Sequence, residues 1–345
     1  MFKRGRRLRS SEKIRNLVSN VKFSLDEMIY PLFIEEGTNI YTEISSMPGQ
    51  YRFSIDRLKP ELEELKDLGI SSLLIFGIPN KKDSVGSEAY NEEGIVQEAV
   101  RYIKREFPEF IVVTDVCMCE FTSHGHCGIL NKDIVDNDVT LEYLSKIALS
   151  HVRAGADIVA PSDSMDGRIK SIRSALDREG YYNTPIMSYS VKYSSSYYGP
   201  FREAADSAPS FGDRKTYQMD FRNNKEYLIE AENDVEEGAD IIMVKPGMPY
   251  LDVVKGISEK VNLPIAVYNV SGEYSMVKAA AINGWIDEKK VVMENMYAMK
   301  RAGANIIITY HAKDIAKWIR GDKNEIWKIR KNIWGWKKSY TWRSK

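Results

Sequence analysis

Short apolar runs alternate with segments of helical periodicity along most of the chain. The runs are rich in β-branched residues and do not alternate polar with apolar positions, which is typical of strands buried on both faces. The predicted strands are Met28–Ile34, Ser72–Phe76, Phe110–Thr114, Asp157–Ala160, Ile186–Ser190, Ile241–Val244, Pro264–Val270 and Asn305–Tyr310. The predicted helices between them include Leu58–Leu68, Gly94–Phe107, Leu141–Ala154, Lys225–Glu237 and Lys289–Ala302.

Eight strand–helix units predict an α/β protein of the TIM (β/α)₈ barrel class, which usually takes roughly 250 residues or more. A doubly wound open sheet is the alternative that the same pattern leaves. The predicted organisation is an extended N-terminal arm at 1–25, a catalytic barrel at 26–320 and a basic, Trp-rich tail at 321–345. We expect the tail to dock on the barrel as a helix. Contact with a neighbouring subunit, a membrane surface or nucleic acid is the alternative.

One local phrase recurs before three of the predicted strands. Each copy carries Gly-Ala followed by Asp or Asn, with the glycines at Gly155, Gly238 and Gly303. A glycine between a helical segment and a buried strand is typical of a helix C-cap. The recurrence is therefore interpreted as a structural feature of the helix-to-strand loops.

Charge and hydropathy exclude several classes of protein. Lysine plus arginine number 49 and aspartate plus glutamate also number 49. The chain therefore has no net charge that would favour binding to nucleic acid or to an anionic membrane. No apolar run is long enough to span a bilayer, and the basic N-terminus lacks the apolar segment of a secretory signal. We expect a cytoplasmic protein whose barrel binds neither nucleic acid nor membrane.

All three cysteines of the 345 residues lie close together, at Cys117, Cys119 and Cys127. Clustered soft ligands in a Gly/His/Ser-rich loop favour a zinc ion over buried free thiols. A structural zinc normally has four protein ligands, so three sulfurs leave room for water or substrate. His124 and His126 lie in the same window, and either could be the fourth ligand or hydrogen-bond around the site.

Polar residues follow the predicted strands, at the end of the barrel where chemistry takes place. Lys192 and Lys245 stand at two adjacent strand ends. A lysine in a low-dielectric site near another cation has a lowered pKa and can attack a ketone as the neutral amine. Lys245 is the better nucleophile candidate because it directly follows an apolar strand, although a lone lysine there is often a solvated surface charge.

Taken together, these segments resemble the porphobilinogen synthase (5-aminolevulinic acid dehydratase) family, from about Arg7 to Trp318. The resemblance is carried by Tyr30–Ile34, Asp115–Gly128, Ala160–Arg168, Met187–Asp206, Phe211–Gln218, Met243–Tyr250, Tyr268–Met276 and Ile306–Tyr310. It implies a zinc-dependent hydro-lyase that condenses two 5-aminolevulinate molecules to porphobilinogen, with loss of two waters, in tetrapyrrole (haem) biosynthesis. It also implies a homo-octamer in which the N-terminal arm embraces a neighbouring subunit.

The same resemblance implies roles for individual residues. Lys245 matches the lysine that forms the principal Schiff base, and Lys192 the second active-site lysine. The three cysteines match the ligands of the catalytic zinc. The residues implied for substrate binding are Arg202 and Arg214 with Lys215 and Gln218 for the second substrate, and Ser271, Tyr310, Asp115 and Ser162 for the first. Glu230 matches a position that binds an allosteric magnesium in some bacterial members.

Ser164 departs from the family pattern, which often has methionine there, and we expect this to alter packing and not the reaction. Two rival functions remain open at this point. One is a zinc-independent class I aldolase-like lyase that uses Lys245. The other is a zinc-stabilised scaffold without enzymatic activity.

Overall fold

A computed structural model describes residues 2–321 of the chain. The tail predicted at 321–345 therefore lies, apart from its first residue, outside the described residues. Eight strands form the central sheet of the described part. They are β1 Met28–Glu35, β2 Ser72–Ile78, β3 Ile111–Val116, β4 Ile158–Pro161, β5 Met187–Lys192, β6 Ile241–Lys245, β7 Ile265–Asn269 and β8 Ile306–Thr309.

The eight strands close into a parallel barrel. Their order is β4-β3-β2-β1-β8-β7-β6-β5, and each neighbouring pair in that order is parallel. A parallel bridge between Val159 and Ile186 joins β4 to the start of β5 and closes the ring. The predicted TIM barrel is confirmed, and the open doubly wound sheet is wrong.

The junction between β4 and β5, which we call the seam, is the most sparsely bonded part of the ring. Its backbone pairing consists of the single Val159–Ile186 bridge, in which the Val159 N–H donates to the Pro185 carbonyl at 3.2 Å. By contrast, β1 and β2 pair over six consecutive residues, from Tyr30–Leu73 to Glu35–Ile78.

Helices surround the strands and supply the outer layer. They are α1 Glu12–Val18, α2 Leu58–Leu68, α3 Ile95–Glu106, α4 Asn137–Ala154, α5 Arg168–Arg178, α6 Gly199–Ala204, α7 Glu226–Glu237, α8 Leu251–Ser258, α9 Ser271–Ile282 and α10 Glu288–Ala302, and residues 312–321 are also helical. Within residues 2–321, no helix combines the length and the apolar character that a membrane span would require.

Side chains from alternate strand positions enter two separate apolar clusters. In β1, Ile29 and Phe33 join the cluster inside the barrel, whereas Tyr30 and Leu32 join the cluster under the helices. Both faces are therefore covered, which explains why these strands show no polar alternation in the sequence. The interior is a packed core and not a channel.

The predicted glycine C-caps are confirmed at all three positions. Gly155 ends α4 with φ +108°, Gly238 ends α7 with φ +104°, and Gly303 ends α10 with φ +128°. Side chains with a Cβ are disfavoured in this left-handed region, so glycine allows each helix to stop and turn into the next strand.

Two long connections extend over the mouth of the barrel. Residues 36–57 follow β1 and contain an antiparallel pair of short strands, Tyr41–Glu43 and Tyr51–Phe53. Residues 193–225 follow β5 and contain α6. Neither connection has the strand–helix periodicity of the barrel, yet both contribute residues near the strand ends.

Candidate active site

Two lysines end neighbouring strands at the mouth of the barrel. Lys192 is the last residue of β5 and Lys245 is the last residue of β6, and the two are partners in the parallel register. Both side chains are buried, with relative exposures of 6% for Lys192 and 5% for Lys245. The fold thus brings together two amines that the sequence predicts at adjacent strand ends.

Aromatic rings surround the amine of Lys245. Its Nζ lies 4.5 Å from the ring centroid of Tyr268 and 4.9 Å from that of Phe201. Burial, followed by the positive charge of Lys192, lowers the pKa of the Lys245 ammonium to about 7. An amine with this pKa is partly neutral near neutral pH and can therefore act as a nucleophile.

Lys192 is instead held by hydrogen bonding. Its Nζ donates to the backbone carbonyl of Ser162, in the loop after β4. The Ser162 hydroxyl donates in turn to Asp115 Oδ2 at 2.9 Å. Burial, followed by the charge of Glu120, raises the pKa of the Asp115 carboxyl to about 7. Asp115 is therefore suited to exchange protons near neutral pH beside both lysines.

The three cysteines converge in the loop after β3. Their Sγ atoms lie within 4.8 Å of one another, with Cys117 and Cys119 3.4 Å apart. Hydrogen bonds from Cys117 and Cys119 hold the pKa of the Cys127 thiol well below its usual range, whereas burial raises the pKa of the Cys117 thiol. Three buried soft donors, one of them readily ionised, fit a zinc ion.

Gly125 allows this loop to pack against the connection after β5. Its φ is +71°, and a Cβ at this position would lie 2.3 Å from the carbonyl oxygen of Ala208. Any other residue would push the two segments apart. The glycine therefore keeps the cysteine loop against the segment that carries Arg202 and Arg214.

The two histidines of the window make contacts away from the sulfurs. His126 lies 3.1 Å from the Tyr217 hydroxyl through Nδ1 and 3.1 Å from the Phe211 carbonyl through Nε2. His124 Nε2 lies 3.3 Å from the Ser84 carbonyl. Within residues 2–321, neither ring belongs to a metal-sized cluster of ligand atoms. Both hold loops together around the cysteine cluster.

Two arginines from the connection after β5 line the same small cavity as the lysines. The cavity is lined by Asp115, Cys119, Glu120, Ser162, Lys192, Tyr198, Phe201, Arg202, Arg214 and Lys245. Arg214 is buried, and its Nη2 donates to the Gly125 carbonyl at 2.9 Å and the Ser207 carbonyl at 2.6 Å. Burial, followed by the charge of Arg214, lowers the pKa of Arg202. A pair of guanidinium groups is suited to bind a carboxylate.

Ser271 and Tyr310 lie behind the aromatic rings and do not line this cavity. The Ser271 hydroxyl accepts a hydrogen bond of 2.9 Å from the backbone N–H of Phe201. The Tyr310 hydroxyl lies 2.9 Å from that of Tyr268. Phe201 and Tyr268 both contact Lys245. One residue, Phe201 or Tyr268, therefore lies between each hydroxyl and the Lys245 amine.

A larger cavity of about 560 Å³ adjoins Lys192 on its outer side. Gln218 lines it and is buried, and among the described residues its side-chain amide has no hydrogen-bond partner. Lys215 also lines it but pairs with Asp213 at 3.0 Å near the surface. Gln218 and Lys215 therefore line a different cavity from the arginine pair, although the Gln218 backbone N–H donates to the Arg214 carbonyl at 2.9 Å.

Glu230 lies on α7 and also lines the larger cavity. Burial raises the pKa of its carboxyl to about 7, opposed by the nearby Arg168. Within residues 2–321, Glu230 is not part of any metal-sized cluster of three ligand atoms. It therefore supplies a single carboxylate to this cavity.

Glu120 is a charged site residue that sequence reasoning missed. Its carboxylate is buried, and Oε2 lies 3.2 Å from Cys119 Sγ. Glu120, Asp115 and Cys117 also bring one ligand atom each within 4.8 Å of one another. Its position directly after Cys119 is the sequence feature that could have indicated a place in the site. A glutamate in a loop is usually solvated, however, and its burial depends on the fold.

The family model described as delta-aminolevulinic acid dehydratase matches residues 2–318. The chain belongs to this family.

Similar proteins extend the match over nearly the whole length. The delta-aminolevulinic acid dehydratase of Bacillus subtilis is 54% identical over 318 residues, which are 92% of this chain and 98% of the relative. That of Halalkalibacterium halodurans is 52% identical over 322 residues, covering 93% of this chain and 98% of the relative. The sequence-based prediction of the family is therefore confirmed.

A solved structure from the same family shares the fold. The delta-aminolevulinic acid dehydratase (porphobilinogen synthase) of Toxoplasma gondii ME49, in complex with the reaction product porphobilinogen, superposes with a TM-score of 0.92. It is 41% identical in sequence, and the match covers 100% of this chain and 96% of that chain. Family membership thus agrees with the barrel fold.

Proposed function

We propose that this enzyme condenses two molecules of 5-aminolevulinate to porphobilinogen, with loss of two waters, in tetrapyrrole (haem) biosynthesis. The names of its relatives and the product bound to the Toxoplasma gondii protein support this reaction. Within the chain, the proposal is carried by the buried, register-paired Lys192 and Lys245. Each substrate is a ketone, so two neighbouring amines can hold both substrates for one reaction.

Lys245 starts the chemistry in this proposal. Its neutral Nζ adds to the ketone carbon of the first substrate, and loss of water gives an imine. The imine withdraws electrons from the adjacent carbon and ties the substrate in place, which removes much of the entropic cost of joining two molecules. Asp115, with its pKa raised to about 7, takes up and returns the protons beside this carbon.

The second substrate binds on the Lys192 side. Lys192 can hold its ketone as a second imine, and Arg202 with Arg214 can bind its carboxylate. One C–C and one C–N bond then join the substrates while the bonds to both lysine amines break. The two ketone oxygens have by then left as the two waters released when the imines formed. Ser271 and Tyr310 hold the first substrate's carboxylate through hydroxyls, so the two identical molecules meet different chemistry at the two positions.

We assign two metals to the site residues. Cys117, Cys119 and Cys127 would hold a zinc ion, and Glu230 would hold an allosteric magnesium. Bound zinc would supply Lewis-acid activation of a ketone. The three sulfurs fit such an ion because they are buried and mutually close, and because the pKa of the Cys127 thiol is lowered.

We further propose a homo-octamer as the working assembly, and the exposed apolar residues of the N-terminal arm support a contact between subunits. Phe2, Leu8 and Leu17 expose 72%, 59% and 83% of their surface in the single chain. Neither the 3₁₀ helix Gly5–Arg9 nor α1 has a buried residue. Apolar side chains that find no core in their own chain can be covered by a neighbouring subunit. Light scattering on the full chain and on a protein lacking residues 1–25 tests this assembly. The full chain should have the mass of eight subunits and the truncated protein fewer, and an equal number of subunits in both would reject the role of the arm.

One experiment tests the proposed reaction directly. Purified protein is incubated with 5-aminolevulinate and assayed for the pyrrole, and the same sample is reduced with borohydride and analysed by mass spectrometry. We expect pyrrole formation together with a substrate adduct on Lys245. An aldolase-like lyase would give the adduct without any pyrrole, and a scaffold would give neither. Either of those results overturns the proposal.

A further inference from the structure

A buried glutamine in the connection after β1 joins three parts of the barrel. Gln50 is only 5% exposed, although it lies in a segment with little regular structure. Its Oε1 accepts a hydrogen bond of 3.0 Å from the Tyr30 hydroxyl on β1. Its Nε2 donates to the Tyr310 carbonyl at 3.2 Å and to the Tyr274 hydroxyl at 3.3 Å.

These bonds fix the orientation of the amide. Both N–H groups of Gln50 have acceptors, and its oxygen has a donor. The Tyr274 hydroxyl in turn donates to the Pro48 carbonyl at 2.6 Å, and the Ser275 hydroxyl donates to the Ser46 carbonyl at 2.6 Å. The connection after β1 is therefore attached to the first turns of α9 through Ser46, Pro48 and Gln50.

Gln50 thereby links the two hydroxyl residues proposed for the first substrate. Tyr274 lies one turn after Ser271 on α9, and the second donor of Gln50 reaches the carbonyl of Tyr310 itself. The Tyr310 ring is stacked on Phe33 at a centroid distance of 6.1 Å and meets Tyr274 edge-on at 5.8 Å. The amide is thus a rigid connection between the segments that carry Ser271 and Tyr310.

We infer that Gln50 is a positioning residue that sets the separation of Ser271 and Tyr310 and so tunes binding of the first substrate's carboxylate. The inference rests on the proposed function, because it takes from it the role of those two hydroxyls. Gln50 does not contact the lysines or the cysteines. Its effect is therefore specific to the Lys245 half of the site.

The test uses Gln50→Leu, which keeps the bulk but removes the donors and the acceptor. The full-length protein is incubated with graded 5-aminolevulinate and reduced with borohydride, and the adducts on Lys245 and Lys192 are quantified separately by mass spectrometry. We expect the concentration for half-maximal trapping at Lys245 to rise about tenfold, as expected for the loss of one to two net hydrogen bonds. Trapping at Lys192 stays unchanged, and KM rises more than kcat falls.

Gln97→Leu is the matched control. Gln97 is buried in α3, and its Nε2 also donates twice, to the Ala89 carbonyl at 2.9 Å and to the Ser150 hydroxyl at 2.8 Å. It is expected to lose similar thermal stability while trapping at Lys245 stays as in the unaltered protein. If Gln50→Leu does not fold, Tyr30→Phe removes one donor to the same amide, and we expect a shift of about threefold at Lys245.

Several outcomes separate this inference from the proposed function. Equal weakening at both lysines, or no shift in folded Gln50→Leu, overturns the positioning role. The same holds if Gln97→Leu weakens trapping at Lys245 as strongly. Absence of adduct and of pyrrole in the unaltered protein overturns the proposed function instead.

Discussion

Lys192 and Lys245 are the same residue type at the same level of two adjacent strands, but their surroundings differ. Lys245 is enclosed by aromatic rings, including those of Tyr268 and Phe201. Lys192 donates to the Ser162 carbonyl and lies between the inner and the larger outer cavity. The barrel places the two lysines side by side, and the residues around each lysine determine the reactivity of its amine.

The difference has a simple electrostatic origin. Rings offer little solvation to an ammonium compared with water, so burial dominates and the pKa of Lys245 falls to about 7. Lys192 keeps a carbonyl acceptor and adds a positive charge that lowers the pKa of its partner further. We therefore assign the first nucleophilic attack to Lys245 and the holding of the second substrate to Lys192.

Removing each amine gives the largest expected effect. Lys245→Ala should lower the rate of pyrrole formation about a thousandfold or more, because the amine that forms the first imine is lost. Lys192→Ala should leave the adduct on Lys245 and lower the rate by about a hundredfold. Steady-state assays and adduct mapping measure both. Equal rates for the two variants would remove the division of roles, and circular dichroism checks that each variant is folded.

Removal of metal tests whether the cysteine cluster serves the second substrate more than the first. After chelation we expect pyrrole formation to fall by about a hundredfold or more while borohydride still traps substrate on Lys245. Zinc add-back should restore the pyrrole. Cys127→Ala should behave like the chelated protein and remain folded. Unfolding on chelation would point to a structural ion, and full activity without metal would point to a lyase that needs none.

A smaller effect is expected on the pH dependence of trapping at Lys245. The ammonium must lose its proton before it attacks, so the rate should fall as the pH drops below about 7 and level off above it. Lys192→Met removes the neighbouring charge that lowers this pKa. The profile should therefore move to higher pH, and trapping at pH 7 should slow by about threefold. A shift to lower pH would contradict the electrostatic account.

The sequence predicted the barrel well because its signals are local. The predicted helix Leu58–Leu68 has the observed bounds. The observed strand, Ser72–Ile78, begins at the predicted residue and ends two residues after the predicted Phe76. Apolar runs, glycine caps and strand-end lysines are each visible within a few residues. The family resemblance then supplied the substrate-binding residues, whose roles remain predictions.

The connections over the mouth were harder to predict because their contacts are distant in sequence. Gln50 and Tyr310 are separated by 260 positions, and nothing in the sequence around Gln50 indicates that its amide is buried. Glu120 was missed for a related reason, since its burial depends on the packing of the surrounding loops. Local pattern thus predicts the frame of the site, whereas side-chain orientation at its edges depends on tertiary contacts.

The seam between β4 and β5 lies under the Lys192 half of the site. Its backbone pairing is limited to the single Val159–Ile186 bridge, and above it the Lys192 ammonium links β5 to the loop after β4 by donating to the Ser162 carbonyl. When that amine becomes an imine it has fewer protons to donate, so turnover should loosen the barrel wall at this point. We expect amide hydrogen exchange at Val159 to quicken once substrate is trapped on Lys192. The seam of the barrel would then loosen and tighten slightly with each catalytic cycle.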